Sequence, residues 1–284
     1  MGMLDDQSII ITGAGRGLGR AYALAVAAAG ANTVLNDLDP DCLEEVAEEI
    51  RKAGGSTVTV QGSVSDWDAA GRLVETAREQ FGAIDGLVNN AGLFRAVDAP
   101  DEIESELRKL VEVNILGAFF VGTHAMRAMR DQGHGVIVNA SSGAHLGIAQ
   151  QGIYGATKGA LTSATYSWAL DMKPHGVRVN AISPLALTRM ADNYALPGLD
   201  RAAMPRPEEI APMVVFLLSK EADFTGQVLR LDGKTINLLS QPHYDAGRGI
   251  TDPSGWTAEA IASAWRERLS LHVKSAGMAA YTDD

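Results

Sequence analysis

Tyr154 and Lys158 are the pair of side chains in this sequence that most directly suggests catalysis. They are four residues apart in GIYGATK, so on a helix both would project from one face. A free tyrosine has a pKa near ~10 and is a poor base at neutral pH, but neighbouring cations favour the phenolate. Lowering the pKa by ~3 units needs about 4 kcal/mol, which two cations in a sheltered cleft could supply. We therefore expect Tyr154 to take or give the proton of an alcohol.

Two adjacent serines, Ser141 and Ser142, precede this pair and follow an apolar run that begins at Gly135. A carbonyl oxygen that develops negative charge needs a second hydrogen-bond donor, which a serine hydroxyl can provide. At the end of a strand, both serines would lie at the carboxyl edge of a parallel sheet, where open α/β folds bind ligands. Either serine could therefore be the partner of Tyr154.

A glycine-rich turn, TGAGRGLG, marks a candidate phosphate site over Thr12–Gly19. Glycine permits a sharp turn from strand into helix and the close approach of a pyrophosphate, which the N-terminus of the helix attracts. Asp37 ends the second apolar run, 20 residues beyond Gly17, where a carboxylate would bind the hydroxyls of an adenosine ribose. Asp37 would repel a 2′-phosphate, whereas Arg16 could attract one. We give Asp37 more weight and expect NAD rather than NADP as cofactor.

Short apolar runs alternate with longer amphipathic runs along the chain, and these elements must position the candidate residues. Apolar strands between helices indicate an α/β fold, a doubly wound parallel sheet of about seven strands with helices on both faces. The predicted strands lie within Ser8–Thr12, Asn32–Asp37, Ser56–Gln61, Ile84–Gly92, Gly135–Ser141, Gly176–Ser183 and Gly226–Asp232. The predicted helices are Gly17–Gly30, Pro40–Gly55, Asp66–Phe81, Glu102–Arg130, Gly152–Met172 and Glu208–Leu218.

Two regions fall outside this alternation. We expect residues 1–232 to form a Rossmann-like NAD-binding and catalytic domain, which includes a substrate loop at 185–207. Residues 233–284 would form a C-terminal extension with a helix over Ala258–Leu271. The sequence leaves open whether this extension is a lid, an interface arm or plain surface.

Composition narrows the class of protein. Hydrophobic residues make up 46% and charged residues 21% of the 284 residues, which is typical of a soluble globular protein. The net charge of −11 argues against binding to nucleic acid or to an anionic membrane. A single cysteine, Cys42, excludes an internal disulfide, and no signal sequence or spanning segment is visible. The single cysteine and the lack of a visible signal therefore favour a cytoplasmic protein. The six histidines show no metal-ligand spacing, so we expect no metal.

Several motifs together resemble the short-chain dehydrogenase/reductase family in its short, single-domain form. They are TGAGRGLG, NNAG at Asn89–Gly92, VEVN ending in Asn114, the two serines, YGATK, and NAISP through TRM at Asn180–Met190. The resemblance covers about Gln7 to Asp232. Within the family, GRAYALA, LNDLD and TRM are most similar to the (3R)-hydroxyacyl-CoA dehydrogenase domain of peroxisomal multifunctional enzymes and to its stand-alone bacterial relatives.

The resemblance implies a role for each matching residue. Asn114, Ser142, Tyr154 and Lys158 would be catalytic, with Asn114 distorting its helix and holding a water in a proton relay. The implied cofactor-binding residues are Gly13, Arg16, Gly17, Leu18, Gly19, Asp37, Ser63, Val64, Asn90, Ala91, Gly92, Tyr154, Lys158, Pro184 and Thr188. The family also implies a homo-oligomer, either a tetramer or a dimer.

The sequence departs from the family pattern at three places. Leu185 follows Pro184 where glycine is usual, and Ser63 replaces an aspartate that meets the adenine amino group. Ser142 has the strand register of the family serine but is 12 residues before Tyr154, one fewer than usual, whereas Ser141 has the usual spacing. We favour Ser142, because a residue paired into a sheet cannot slip by one position without turning to the other face.

These features predict an NAD(H)-dependent oxidoreductase that interconverts a secondary alcohol and a ketone. The resemblance to the (3R)-hydroxyacyl-CoA dehydrogenase domain, together with the apolar residues of the 185–207 loop, implies a 3-hydroxyacyl thioester, a steroid or another apolar alcohol as substrate. A sugar or polyol dehydrogenase is the alternative among enzymes. A catalytically idle NAD-binding regulatory subunit is the alternative outside them.

Overall fold

A single mixed sheet forms the centre of the protein. The structure, a computed structural model, describes residues 2–186, 204–242, 244, 247 and 249–272. The strands are β1 (Ser8–Thr12), β2 (Asn32–Asp37), β3 (Thr57–Gln61), β4 (Gly86–Asn89), β5 (Gly135–Ala140), β6 (Val177–Ile182), β7 (Val228–Leu231) and β8 (Ile236–Leu238). The helices are α1 (Gly17–Ala28), α2 (Pro40–Lys52), α3 (Trp67–Phe81), α4 (Glu104–Leu110), α5 (Ala118–Gln132), α6 (Gly152–Met172), α7 (Pro207–Leu218) and α8 (Ala258–Glu267).

The strand order is β3-β2-β1-β4-β5-β6-β7-β8, and the first seven strands pair in parallel. The order reverses at β1, which lies between β2 and β4. In doubly wound folds such a reversal opens a crevice at the carboxyl ends of the strands. The predicted doubly wound α/β fold is therefore confirmed.

The strand β8 corrects the predicted count of about seven strands, because the described part of the chain has eight. It pairs antiparallel with β7, and all three of its residues are exposed. Its three residues alternate apolar and polar, but three residues are too few to indicate a strand by their period, which is why the sequence did not indicate it. The sheet lies in a compact unit that runs to Leu239, and a second unit begins at Ser240 and contains α8. The division at residue 232 stays a prediction.

Two apolar clusters cover the two faces of the sheet. Ile9 and Ile11 belong to one cluster and Ile10 to the other, as the alternation of side chains along a strand requires. Residues of α1, α2 and α7 join the first cluster, and residues of α3, α5 and α6 join the second. In the described residues no helix is both long and apolar enough to cross a membrane.

The segment predicted as one long helix over Glu102–Arg130 is interrupted. Between α4 and α5 the chain forms a π-helical segment over Val111–Gly117, in which Asn114 is fully buried. π-Helical segments within α-helices are frequent at functional sites. The interruption therefore occurs at the asparagine for which a helix distortion was expected.

Candidate active site

A cleft of about 680 Å³ lies at the carboxyl edge of the sheet, where the strand order reverses. It is lined by every predicted cofactor-binding residue except Thr188, which lies outside the described residues. The cleft also contains residues for which the sequence analysis proposed no role, among them Asn36, Cys42 and Leu93, and it contains Ser141, the serine that was not favoured. Most of these are neighbours of motif residues, so their position along the chain was the one available signal.

The glycine-rich turn brings the backbone close to the floor of this cleft. Gly13 has φ +64°, and a Cβ there would lie 2.9 Å from the Cα of Ala91. A Cβ on Gly19 would lie 1.9 Å from the carbonyl oxygen of Gly13, so no larger residue fits at that position. Among the described residues no side chain caps the N-terminus of α1, which begins at Gly17. The turn thus presents the backbone N–H groups and the positive helix end that a pyrophosphate requires.

Thr12, the first residue of this turn, connects the turn to the NNAG segment. Its Oγ1 accepts hydrogen bonds from the backbone N–H of Asn90 (3.0 Å) and of Ala91 (3.1 Å). The side-chain amide of Asn90 donates in return to the carbonyl oxygens of Thr12 (3.0 Å) and Gly13 (3.2 Å). The two walls of the cleft are therefore held at a fixed distance by paired polar groups.

Asp37 lies at the end of β2 and lines the same cleft. Its Oδ2 accepts the backbone N–H of Gly15 at 2.9 Å, and its Oδ1 accepts that of Leu38 at 2.8 Å. These donors fix the carboxylate beside the glycine turn. The N–H groups of the turn fit the pyrophosphate of a dinucleotide, and the carboxylate beside them fits its adenosine ribose. Ser63 lines the cleft too, with its hydroxyl 2.7 Å from that of Ser65.

Tyr154 and Lys158 lie on the first turns of α6 and face the other end of the cleft. The Nζ of Lys158 is 5.9 Å from the centre of the Tyr154 ring and donates to the carbonyl oxygen of Ala140 at 2.7 Å. The ring of Phe94 packs edge-on against Tyr154, with 4.9 Å between ring centres. The tyrosine is therefore held between an amine and an apolar ring.

The structure distinguishes between the two serines. The side chain of Ser142 hydrogen-bonds to Tyr154, and its Oγ accepts the backbone N–H of Ala144 at 3.2 Å. Ser141 is buried and turns toward α6, where its Oγ lies 2.6 Å from that of Thr162 and donates to the carbonyl oxygen of Lys158. Ser142 thus interacts with the tyrosine, whereas the hydroxyl of Ser141 faces Thr162, although Ser141 also lines the cleft. Both serines follow Ala140, the last residue of β5, so the choice of Ser142 as the catalytic serine stays a prediction.

Burial dominates the electrostatics of this pair. It raises the pKa of Tyr154 above its usual value, while the hydrogen bond from Ser142 acts in the opposite direction. Burial also lowers the pKa of Lys158 to about 8. The expectation that Lys158 lowers the pKa of the tyrosine is therefore not met by the protein alone, because its Nζ is directed at Ala140 rather than at the phenol oxygen. A cation bound in the cleft would be needed to favour the phenolate.

Asn114 connects the π-helical segment to the tyrosine helix. Its Oδ1 accepts the backbone N–H of Leu93 at 2.7 Å, and its Nδ2 donates to the Leu93 carbonyl oxygen and to the Thr157 hydroxyl. The hydroxyl of Thr157 donates to the carbonyl oxygen of Tyr154 at 2.8 Å. A Cβ on Gly92 would lie 3.3 Å from Asn114 Oδ1 and 3.5 Å from Lys158 Nζ. Asn114 therefore fixes the backbone around both ends of the site, and its part in a proton relay stays a prediction.

Comparison with known proteins agrees with this arrangement. The model of the short chain dehydrogenase family matches residues 7–195. The chain is 34% identical over 272 residues to the peroxisomal hydratase-dehydrogenase-epimerase of Saccharomyces cerevisiae. The aligned region covers 92% of this chain and 30% of that protein. This chain thus spans about a third of the length of that relative.

Two further relatives are matched over almost their whole length. L-rhamnose 1-dehydrogenase (NAD(P)(+)) of Azotobacter vinelandii is 35% identical over 251 residues, 81% of this chain and 97% of that one. The crystal structure of a short chain dehydrogenase from Mycobacterium avium has a TM-score of 0.79 at 37% identity and covers 94% of this chain and 97% of its own. The chain therefore belongs to the short-chain dehydrogenase family, whose members are oxidoreductases that act on CH–OH donors with NAD(P).

Proposed function

We propose that this protein is an NAD(H)-dependent dehydrogenase that interconverts a secondary alcohol and a ketone. The observation that carries the proposal is the arrangement of Tyr154 and Lys158 in the glycine-lined cleft, with Lys158 Nζ 5.9 Å from the tyrosine ring centre and with Ser142 acting on the tyrosine to lower its pKa. It places two hydroxyl groups where they could bind one substrate oxygen. A protein that only binds the nucleotide would have no need of this pair.

The chemistry divides between the cofactor and the chain. NAD, when bound, supplies or accepts the hydride, which no amino-acid side chain can do. The glycine turn would hold its pyrophosphate, and Asp37 would hold its ribose. Tyr154 donates the proton to the substrate oxygen during reduction and accepts it during oxidation.

Ser142 and Lys158 support that proton transfer in different ways. The hydroxyl of Ser142 donates a hydrogen bond to the substrate oxygen as negative charge develops on it. The positive charge of oxidised NAD would favour the phenolate of Tyr154 when an alcohol is to be oxidised. Lys158 holds the end of β5 against the tyrosine helix α6, because its Nζ donates to the carbonyl oxygen of Ala140. The high pKa of the tyrosine in the protein alone suits its role as an acid in the reverse direction.

The cofactor preference rests on charge. Asp37 lies where the adenosine ribose would bind, so a 2′-phosphate would meet a carboxylate at close range. Arg16 could offset this repulsion, but its guanidinium forms an ion pair with Asp39. NAD is therefore favoured over NADP.

The substrate we propose is an apolar secondary alcohol, such as a 3-hydroxyacyl thioester or a steroid. The ring of Phe94 against Tyr154 provides an apolar wall next to the reacting oxygen. The yeast relative is named a hydratase-dehydrogenase-epimerase, which supports a dehydrogenase reaction. A sugar is the second candidate, because L-rhamnose 1-dehydrogenase is similar over 97% of its length.

A matched pair of serine variants tests the proposal. Ser142→Ala should lower kcat/KM for alcohol oxidation about a hundredfold, since it removes one donor to the developing oxyanion. Ser141→Ala removes a hydroxyl of the same kind that faces Thr162 and should change kcat/KM much less. The assay is the appearance of NADH with a panel of 3-hydroxyacyl thioesters, steroids and sugars. Equal loss in both variants, or no NADH with any alcohol, would count against the proposal.

A further inference from the structure

Asp39 is a second carboxylate near the adenosine end of the cleft, two residues after Asp37 in the sequence. Its Oδ1 accepts the backbone N–H groups of Asp41 and Cys42, each at 3.2 Å, and so caps the N-terminus of α2. Its Oδ2 accepts a hydrogen bond from the guanidinium of Arg16. The carboxylate is therefore fixed on one side by a helix and bound on the other to a cation.

The guanidinium of Arg16 is held at a second point as well. Its Nε and one terminal nitrogen lie 3.1 Å and 3.0 Å from the Sγ of Cys42. Arg16, Cys42 and Asp37 all line the cleft. The backbone N–H of Asp39 also donates to Asp37 Oδ1 at 3.2 Å, so the Asp37 carboxylate is tied to the backbone of Asp39.

The charge on Asp39 is secure at neutral pH. A hydrogen bond from the backbone of Cys42 and the attraction of Arg16 lower the pKa of its carboxyl group. An arginine that is engaged by a carboxylate presents its charge and its planar donors to that group rather than to a ligand. A 2′-phosphate would have to compete with Asp39 for the same guanidinium.

We propose that Asp39 is a specificity-determining residue for the cofactor, because it engages the one side chain in the turn TGAGRGLG that could bind a 2′-phosphate. Asp37 acts on that phosphate by repulsion, and Asp39 acts by competition for Arg16. This proposal rests on the proposed NAD-dependent function. It predicts that the effects of the two carboxylates on NADP+ binding are coupled through Arg16.

The experiment measures NAD+ and NADP+ binding by isothermal titration calorimetry. Asp39→Asn is suitable, since asparagine keeps the Oδ1 that caps α2 but loses the charge that binds Arg16. In an Asp37→Ala background, Asp39→Asn should tighten NADP+ binding about a further tenfold, as expected for a charge-assisted contact to phosphate. Adding Arg16→Ala should abolish this further gain, and NAD+ binding should change less than about threefold on Asp39→Asn.

A neighbouring carboxylate provides the control. Asp41→Asn removes the same charge from the first turn of α2 and leaves the Arg16–Asp39 pair intact, so it should not reproduce the gain. The proposal is overturned if Asp39→Asn gives no gain, if Asp41→Asn gives an equal gain, or if the gain survives Arg16→Ala. Wild-type protein that binds neither nucleotide would overturn the proposed function as well. NAD+ binding without the coupling would overturn this inference alone.

Discussion

Lys158 should reduce the stability of the cofactor-free protein, and the reduction should depend on pH. Its side chain is 4% exposed, and burial lowers its pKa from 10.5 to about 8. The unfolded chain therefore binds more protons than the folded chain between these two values. Under that condition the free energy of unfolding rises with pH. The destabilisation is complete below pH 8 and disappears as the pH passes 10.5.

The shift of about 2.5 units between these values corresponds to about 3.4 kcal/mol at pH 7. By the same relation, Lys158 lowers the free energy of unfolding by about 2 kcal/mol at pH 9. Lys158→Met removes this contribution but leaves the carbonyl of Ala140 without its 2.7 Å donor, at a cost of about 1–3 kcal/mol that does not vary with pH. The advantage of the Met variant over wild type should therefore fall by about 1.3 kcal/mol between pH 7 and pH 9.

The assay is urea unfolding of the cofactor-free protein, followed by tryptophan fluorescence at one protein concentration and several pH values. Taking the difference between variant and wild type cancels the titration of all other groups. Lys173→Met is a control for the loss of a lysine, because Lys173 is exposed just after α6. A difference between Lys158→Met and wild type that stays constant from pH 7 to pH 9 would refute the reasoning.

The remaining predictions concern the nucleotide site and the fold. Asp37→Ala should weaken NAD+ binding at least about tenfold in calorimetry, since it removes a charged partner of the ribose; unchanged affinity would refute the role of that carboxylate. Arg178→Met should lower the free energy of unfolding by about 2 kcal/mol in urea, because its guanidinium donates to the carbonyl oxygens of Leu217 (3.1 Å), Leu218 (3.4 Å) and Ser219 (2.8 Å) at the end of α7. An effect below about 0.5 kcal/mol would mean that water serves these carbonyls equally well.

The sequence predicts most of the sheet because its seven parallel strands are apolar runs bounded by turns. The glycine turn and Asp37 could be placed for the same reason, since each directly follows a strand. The two serines could also be placed, because they directly follow β5, and the catalytic role of Ser142 stays a prediction. In these cases local pattern and tertiary structure impose the same constraint.

Other features depend on contacts between distant residues and could not be read from local pattern. The ion pair between Arg16 and Asp39 joins residues 23 positions apart. The direction of the Lys158 amine, toward Ala140, decides that burial and not charge sets the pKa of Tyr154. The strand β8 forms by pairing with β7, and its three residues are too few for a recognisable strand period.

Tyr154→Phe tests the central claim most directly, because it removes one hydroxyl and keeps the ring that packs against Phe94. The measurement is a single-turnover reaction of NAD+ with the best alcohol of the panel, alongside calorimetric titration with NAD+. We expect NADH formation to fall at least about a thousandfold, in line with the loss of a general acid–base group, while NAD+ affinity changes little. NADH formation at a rate near that of wild type would contradict the account, since the proton would then be transferred by another group.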